Sequence, residues 1–156
     1  MRVAIRADAS TASGAGHVMR CLALAEALRN RNAEIMFVCR EFPEHLGNLI
    51  TAKGHRLVHL ASFSGLSSLD VRQELEAKEN DRAGASDHPG EPDMDWAADA
   101  GHTATILRES GGWDWLVVDH YGLDARWESR LRPHANRLMA IDDLADRPHD
   151  VDVLLD

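Results

Sequence analysis

The chain has 156 residues, long enough for one domain with a real core, and carries 26 acidic against 17 basic side chains, a net charge of −9. Such an acidic surface gives nucleic acid or an anionic membrane no general attraction, so a polyanionic ligand must be held locally, by a loop or a helix end. No apolar run approaches the roughly 20 residues that span a bilayer, the opening Met1 to Ser10 lacks a signal-peptide pattern, and two cysteines, Cys21 and Cys39, are too few for a disulfide framework or a four-ligand zinc site, so a soluble cytoplasmic protein is expected.

The first element in chain order is Arg2-Val3-Ala4-Ile5-Arg6, which alternates as a buried strand does. A loop of small residues follows to Gly16. From His17 to Leu28, the residues Val18, Cys21, Leu22, Ala25 and Leu28 recur at three- and four-residue spacing, which marks one face of a helix. Glu34 to Cys39 reads as a second strand, so the segment is a βαβ unit with parallel strands. The rhythm repeats with a helix from Glu44 to Lys53 and a strand from His55 to Leu60. A helix from Met94 to Glu109 then precedes a covered central strand from Trp115 to Asp119. Asp124 to Leu131 reads as a helix capped by Asp124, followed by strands at Arg137 to Ile141 and Val151 to Leu155. Alternating βα units of this kind predict an α/β fold with a doubly wound, Rossmann-like parallel sheet.

Two stretches depart from that rhythm. Ser62 to Asp93 is rich in serine and glycine around a charged run, Arg72 to Arg82, and is expected to be an exposed insertion. Val151 to Asp156 reads as a core strand at which the chain stops. That predicts the first half of a longer, two-domain protein, with a site between the domains.

The clearest chemical signal is the junction of loop and helix after the first strand. Gly14 and Gly16 let backbone N–H groups approach a ligand, and the helix end offers them to an anion. The pattern Gly14-x-Gly16-x-x-Met19 lacks the third glycine of a dinucleotide fingerprint, which argues against NAD. His17 stands at the carboxyl edge of the sheet, where a helix end favours a neutral imidazole able to accept a proton; the alternative is a histidine that starts the helix and faces solvent. Asp119-His120-Tyr121-Gly122 follows the central strand on the same edge. Tyr121 offers a hydroxyl and Asp119 a partner for an imidazole, unless Asp119 and His120 serve only to cap the next turn. Asp8 is expected to brace the Gly14–Gly16 loop or to orient His17. Asp142-Asp143, with His149-Asp150 behind it, combines carboxylates and imidazole in a spacing too loose to assign a metal, and caps explain acidic residues equally well. Cys21 and Cys39 read as core residues, Trp96, Trp113, Trp115 and Trp127 as helix-to-sheet packing. No metal ligand set and no cofactor are assigned.

Three ordered blocks carry a resemblance. Arg6 to Ser10 with Gly14-Ala15-Gly16-His17-Val18-Met19-Arg20-Cys21-Leu22, then Trp115 to Leu123, then Ile141-Asp142-Asp143-Leu144-Ala145-Asp146-Arg147 resemble the UDP-sugar hydrolases of pseudaminic acid biosynthesis, UDP-2,4-diacetamido-2,4,6-trideoxy-β-L-altropyranose hydrolases, and the related spore-coat polysaccharide proteins. The resemblance implies the amino-terminal half of a two-domain, glycosyltransferase-B-type fold, whose other half supplies most UDP contacts. It implies hydrolysis at the anomeric carbon with C–O cleavage, inversion and release of UDP, with UDP-sugar and water as the partners and no metal required. The catalytic histidine then falls on His17 and the active-site tyrosine on Tyr121; Asp8, Gly14, Gly16, Asp119 and His120, singled out above at the same strand ends, are expected to line the substrate site. The long Ser62 to Asp93 segment departs from the family pattern. Two other functions share this scaffold: a sugar transferase, with an acceptor in place of water, and a nucleotide-sugar-binding module without catalysis.

Overall fold

A computed structural model describes residues 1–9, 14–60 and 95–156; the expected Ser62 to Asp93 insertion lies outside the described residues. The elements run β1 (Arg2–Ala7), α1 (Gly16–Arg29), β2 (Glu34–Cys39), α2 (Glu44–Ala52), β3 (Arg56–His59), α3 (Trp96–Glu109), β4 (Trp113–Asp119), α4 (Ala125–Leu131), a 3-10 turn (Arg132–His134), β5 (Ala135–Ile141) and β6 (Val153–Leu155). The described strands form one sheet of order β3-β2-β1-β4-β5-β6, with every neighbouring pair parallel. This is an α/β, Rossmann-like arrangement, as the alternation predicts.

The period-2 pattern of β1 sends its side chains to two cores. Val3, Ile5 and Ala7 pack with Val18, Cys21, Leu22 and Ala25 of α1 and with Leu46 and Ile50 of α2. Ala4 points the other way, among Leu107 of α3 and Trp127 and Leu131 of α4. Helices therefore cover both faces, and the chain leaves β1 and β4 toward opposite sides. The gap between the carboxyl ends of those two strands is a topological switch point, where folds of this kind hold ligands.

Element ends follow local chemistry. Asp124 caps α4, its carboxylate accepting the Arg126 N–H at 2.9 Å, and Asp95 caps α3 through the Ala98 N–H at 3.0 Å. The left-handed Gly54 (φ +81°) ends α2, with its N–H donating to the Thr51 carbonyl and the His55 N–H to that of Ile50. β4 and β5 each start two residues earlier than their apolar runs, because Trp113 pairs with Ala135 and extends both strands at once. Trp113 and Trp127 are buried packing residues whose indole N–H groups find the Leu107 carbonyl and Asp99.

One expectation is corrected. The last strand is shorter than Val151 to Leu155 and is not buried: Val153, Leu154 and Leu155 are 40%, 53% and 48% exposed. Its apolar composition imitates a core strand, but among the described residues it pairs only with β5, at the sheet edge. Among the described residues no helix is long and apolar enough to cross a membrane.

Candidate functional site

The switch point is furnished first by the start of α1. Gly14 adopts φ +72°, which a side chain rarely tolerates, whereas Gly16 has ordinary backbone and opens the helix. Among the described residues nothing lies within 4 Å of a Cβ added at either glycine, so their smallness faces open space rather than a packed neighbour. Ala15 at the N-cap has no side-chain acceptor, and the first turn carries no acidic residue.

Helix geometry then sets His17. One turn before Cys21, it shares the inner face of α1 and is only 4% exposed, so the solvent-facing alternative does not hold. Its ring meets the Tyr121 ring edge-on, with centroids 4.4 Å apart and planes at 81°. Residues 104 positions apart in sequence thus stand together on one sheet edge.

Arg20, one turn after His17, organises the next layer. Its Nε and Nη2 grip both oxygens of Asp119, at 2.5 and 2.6 Å, and Nη1 reaches Asp143 at 3.0 Å. Asp119 is fully buried at the end of β4 and also accepts from the Cys21 thiol at 3.5 Å. The sequence offers Asp119 as a partner for an imidazole; the structure gives it a guanidinium, because Asp119 points to α1 while His120, the first residue after β4, points to the opposite face. The Tyr121 hydroxyl donates to Asp143. Burial first, and the Asp143 charge second, push the Tyr121 phenol above its ordinary pKa, so it stays protonated near neutrality. The hydrogen bond from Arg20 holds Asp143 below the usual carboxylate range.

Asp8 and His120 form a second, deeper cluster. Asp8 takes Arg6 Nη1 at 2.6 Å and Nη2 at 2.8 Å, and its Oδ1 also accepts the backbone N–H of Arg40 at 2.7 Å. His120 Nε2 lies 3.4 Å from Asp8 Oδ2, and His120 Nδ1 accepts the Gly122 N–H at 2.9 Å. Below them Asp99 binds Arg6, Arg40 and the Trp127 indole. Burial alone would raise the Asp8 and Asp99 carboxyls. The adjacent guanidiniums prevail, taking Asp8 well below the carboxylate range and Asp99 to about 2. The expectation that Asp8 braces the Gly14–Gly16 loop or orients His17 is thereby corrected: its contacts run to Arg6, to the backbone after β2 and to His120.

The loop after β5 closes the third side. Asp142 and Asp143 diverge: Asp143 joins Arg20, while Asp142 accepts from the Leu144 and Ala145 N–H groups, pairs with Arg147 and faces His149 Nε2 at 3.2 Å. His149 Nδ1 faces Glu128 at 2.6 Å, and Asp150 turns outward to Ser129 and Arg132. Among the described residues no group of three or more His, Cys, Asp or Glu side chains is arranged to hold a metal ion. Both cysteines are buried and their thiols pushed up, Cys39 to about 12, as core residues behave.

Sequence reasoning missed Arg20, Arg6, Arg40, Asp99, Arg147 and Glu128. Only Arg20 had a local signal, its three-residue spacing from His17. The others meet across the fold, Arg6 and Asp99 being 93 positions apart. No protein-family model matches the chain, and no curated protein matches it significantly.

Proposed function

We propose that this chain is the amino-terminal domain of a nucleotide-sugar hydrolase. It acts on a UDP-linked 2,4-diacetamido-2,4,6-trideoxy sugar in pseudaminic acid-type surface-glycan synthesis, and a second domain supplies most of the UDP contacts. The observation that carries the reading is the edge-on contact of His17 with Tyr121 at the switch point, since these are the two residues that the resemblance nominates for catalysis.

In this mechanism water adds to the anomeric carbon and gives a proton to His17. The bond from that carbon to the diphosphate oxygen breaks, and its electron pair leaves with UDP. A positioned base of this kind contributes roughly 10²–10⁴-fold to rate. Tyr121, which keeps its proton and donates it in a hydrogen bond to Asp143, accepts a hydrogen bond from the water or a sugar hydroxyl and so orients it. The backbone at Gly14–Gly16 and the first turn of α1 meet the charge that develops on the leaving group.

UDP release by the full-length gene product tests this reading. Release from UDP-sugar alone, lost in His17→Ala at unchanged substrate affinity, is the expected result. Release only after a sugar acceptor is added would make the protein a transferase, and binding with no turnover in either variant would make it a binding module. Residues 1–156 alone are expected to fold without efficient turnover; hydrolysis by this segment would remove the need for a second domain.

A further inference from the structure

We propose that His120 is a positioning residue: as a neutral ring protonated at Nε2, it clamps the turn that holds Tyr121 against His17. What Tyr121 does in this account rests on the hydrolase reading; where it stands rests on geometry alone. Side chains go on alternating past the end of β4 at Asp119. Asp119 meets Arg20 and Cys21 of α1, His120 meets Asp8 on the other face, and Tyr121 meets His17 of α1. The His120 ring is therefore the inward anchor of the residue that faces the switch point.

Hydrogen bonding assigns the ring's proton. Nδ1 receives the Gly122 N–H at 2.9 Å, so it carries a lone pair, and the proton sits on Nε2, 3.4 Å from Asp8 Oδ2. Asp8 is itself held by several donors. Both its oxygens are gripped by Arg6, at 2.6 and 2.8 Å, and Arg6 is held in turn by Asp99, at 3.1 and 2.8 Å. Arg6 and Arg40 already balance Asp8 and Asp99 in this buried cluster, so a neutral imidazole leaves it uncharged, while an imidazolium would add an unpaired charge. The backbone carbonyl of His120 also accepts from Leu123 N–H and Arg147 Nη2, both at 3.4 Å. The turn that includes Tyr121 is thus fixed through the ring before it and the amide after it.

Tyr121 is the chain's one tyrosine, which makes the test direct. Long-range ¹H–¹⁵N spectra of the wild type are expected to show His120 protonated at Nε2 only; a proton on Nδ1 would overturn the assignment. With labelled tyrosine, the wild type should show an Overhauser contact between the Tyr121 and His17 rings. His120→Asn, which retains an acceptor for the Gly122 N–H, should keep it, and His120→Phe should lose it. Retention in a folded His120→Phe, or loss in a folded His120→Asn, would refute the positioning role. Should His120→Phe fail to fold, the wild-type tautomer and His120→Asn still decide. In the full-length protein His120→Phe is expected to lower kcat about 10²-fold with KM little changed, and His120→Asn to restore most of it. A wild type that hydrolyses nothing would sink the hydrolase reading, yet the ring contact and the tautomer would still decide the role of His120.

Discussion

Arg20 ties together two acids and an aromatic ring: it holds both oxygens of Asp119, reaches Asp143, and through Asp143 fixes the Tyr121 hydroxyl. Its guanidinium is one-third exposed, but Asp119 is buried, so Arg20→Ala strands a carboxylate in the core. The expected cost, discounted for solvent at the outer end of the pair, is on the order of 3 kcal/mol in urea unfolding. Arg20→Lys returns the charge without the planar fork and should recover only part of it. Wild-type stability in the lysine variant would show that charge alone suffices. Arg20 illustrates the limit of local reading. Its spacing from His17 was visible in the sequence, whereas its partners, 99 and 123 positions away, were not.

At the scale of elements, the start of α1 separates two glycines that look alike in the sequence. Gly14 needs its left-handed backbone, so Gly14→Ala should destabilise the protein by about 1–2 kcal/mol. Gly16 has ordinary backbone, and among the described residues nothing stands within 4 Å of a Cβ added there, so Gly16→Ala should raise stability by roughly 0.4–1 kcal/mol. If this segment meets the substrate diphosphate, the same Gly16→Ala should lower kcat/KM in the full-length protein. Unchanged kinetics in a stabilised Gly16→Ala would place the phosphates elsewhere. The order of strands and helices, and the Asp124 cap, were legible because period and caps are local. The edge position of β6 was not: Val153, Leu154 and Leu155 are as apolar as any core strand, and only pairing partners distinguish an edge from a centre.

Across the whole molecule, Arg6, Arg40, Asp8 and Asp99 form a charge-balanced knot linking the ends of β1 and β2 to α3. Asp99 falls from 3.8 to about 2, so the unfolded chain binds a proton there between about pH 4 and pH 2 that the native state refuses. Stability from this group is therefore full above about pH 4 and is lost as pH falls toward 2; Asp8, shifted in the same direction, adds to the effect. Asp99→Asn should cost on the order of 3–5 kcal/mol at neutral pH and leave a shallower acid-unfolding profile, followed by circular dichroism. An unchanged acid profile would mean that the knot does not govern acid stability. The knot escaped sequence reading because a strand arginine and a helix aspartate carry no signal until the fold joins them. The proposed chemistry meets its most direct test in hydrolysis of the UDP-linked diacetamido sugar by the full-length protein in ¹⁸O water, wild type beside His17→Ala. Label in the free sugar, absent in the variant, is the result expected of anomeric attack assisted by His17; label in UDP would mean attack at phosphorus and would contradict the mechanism.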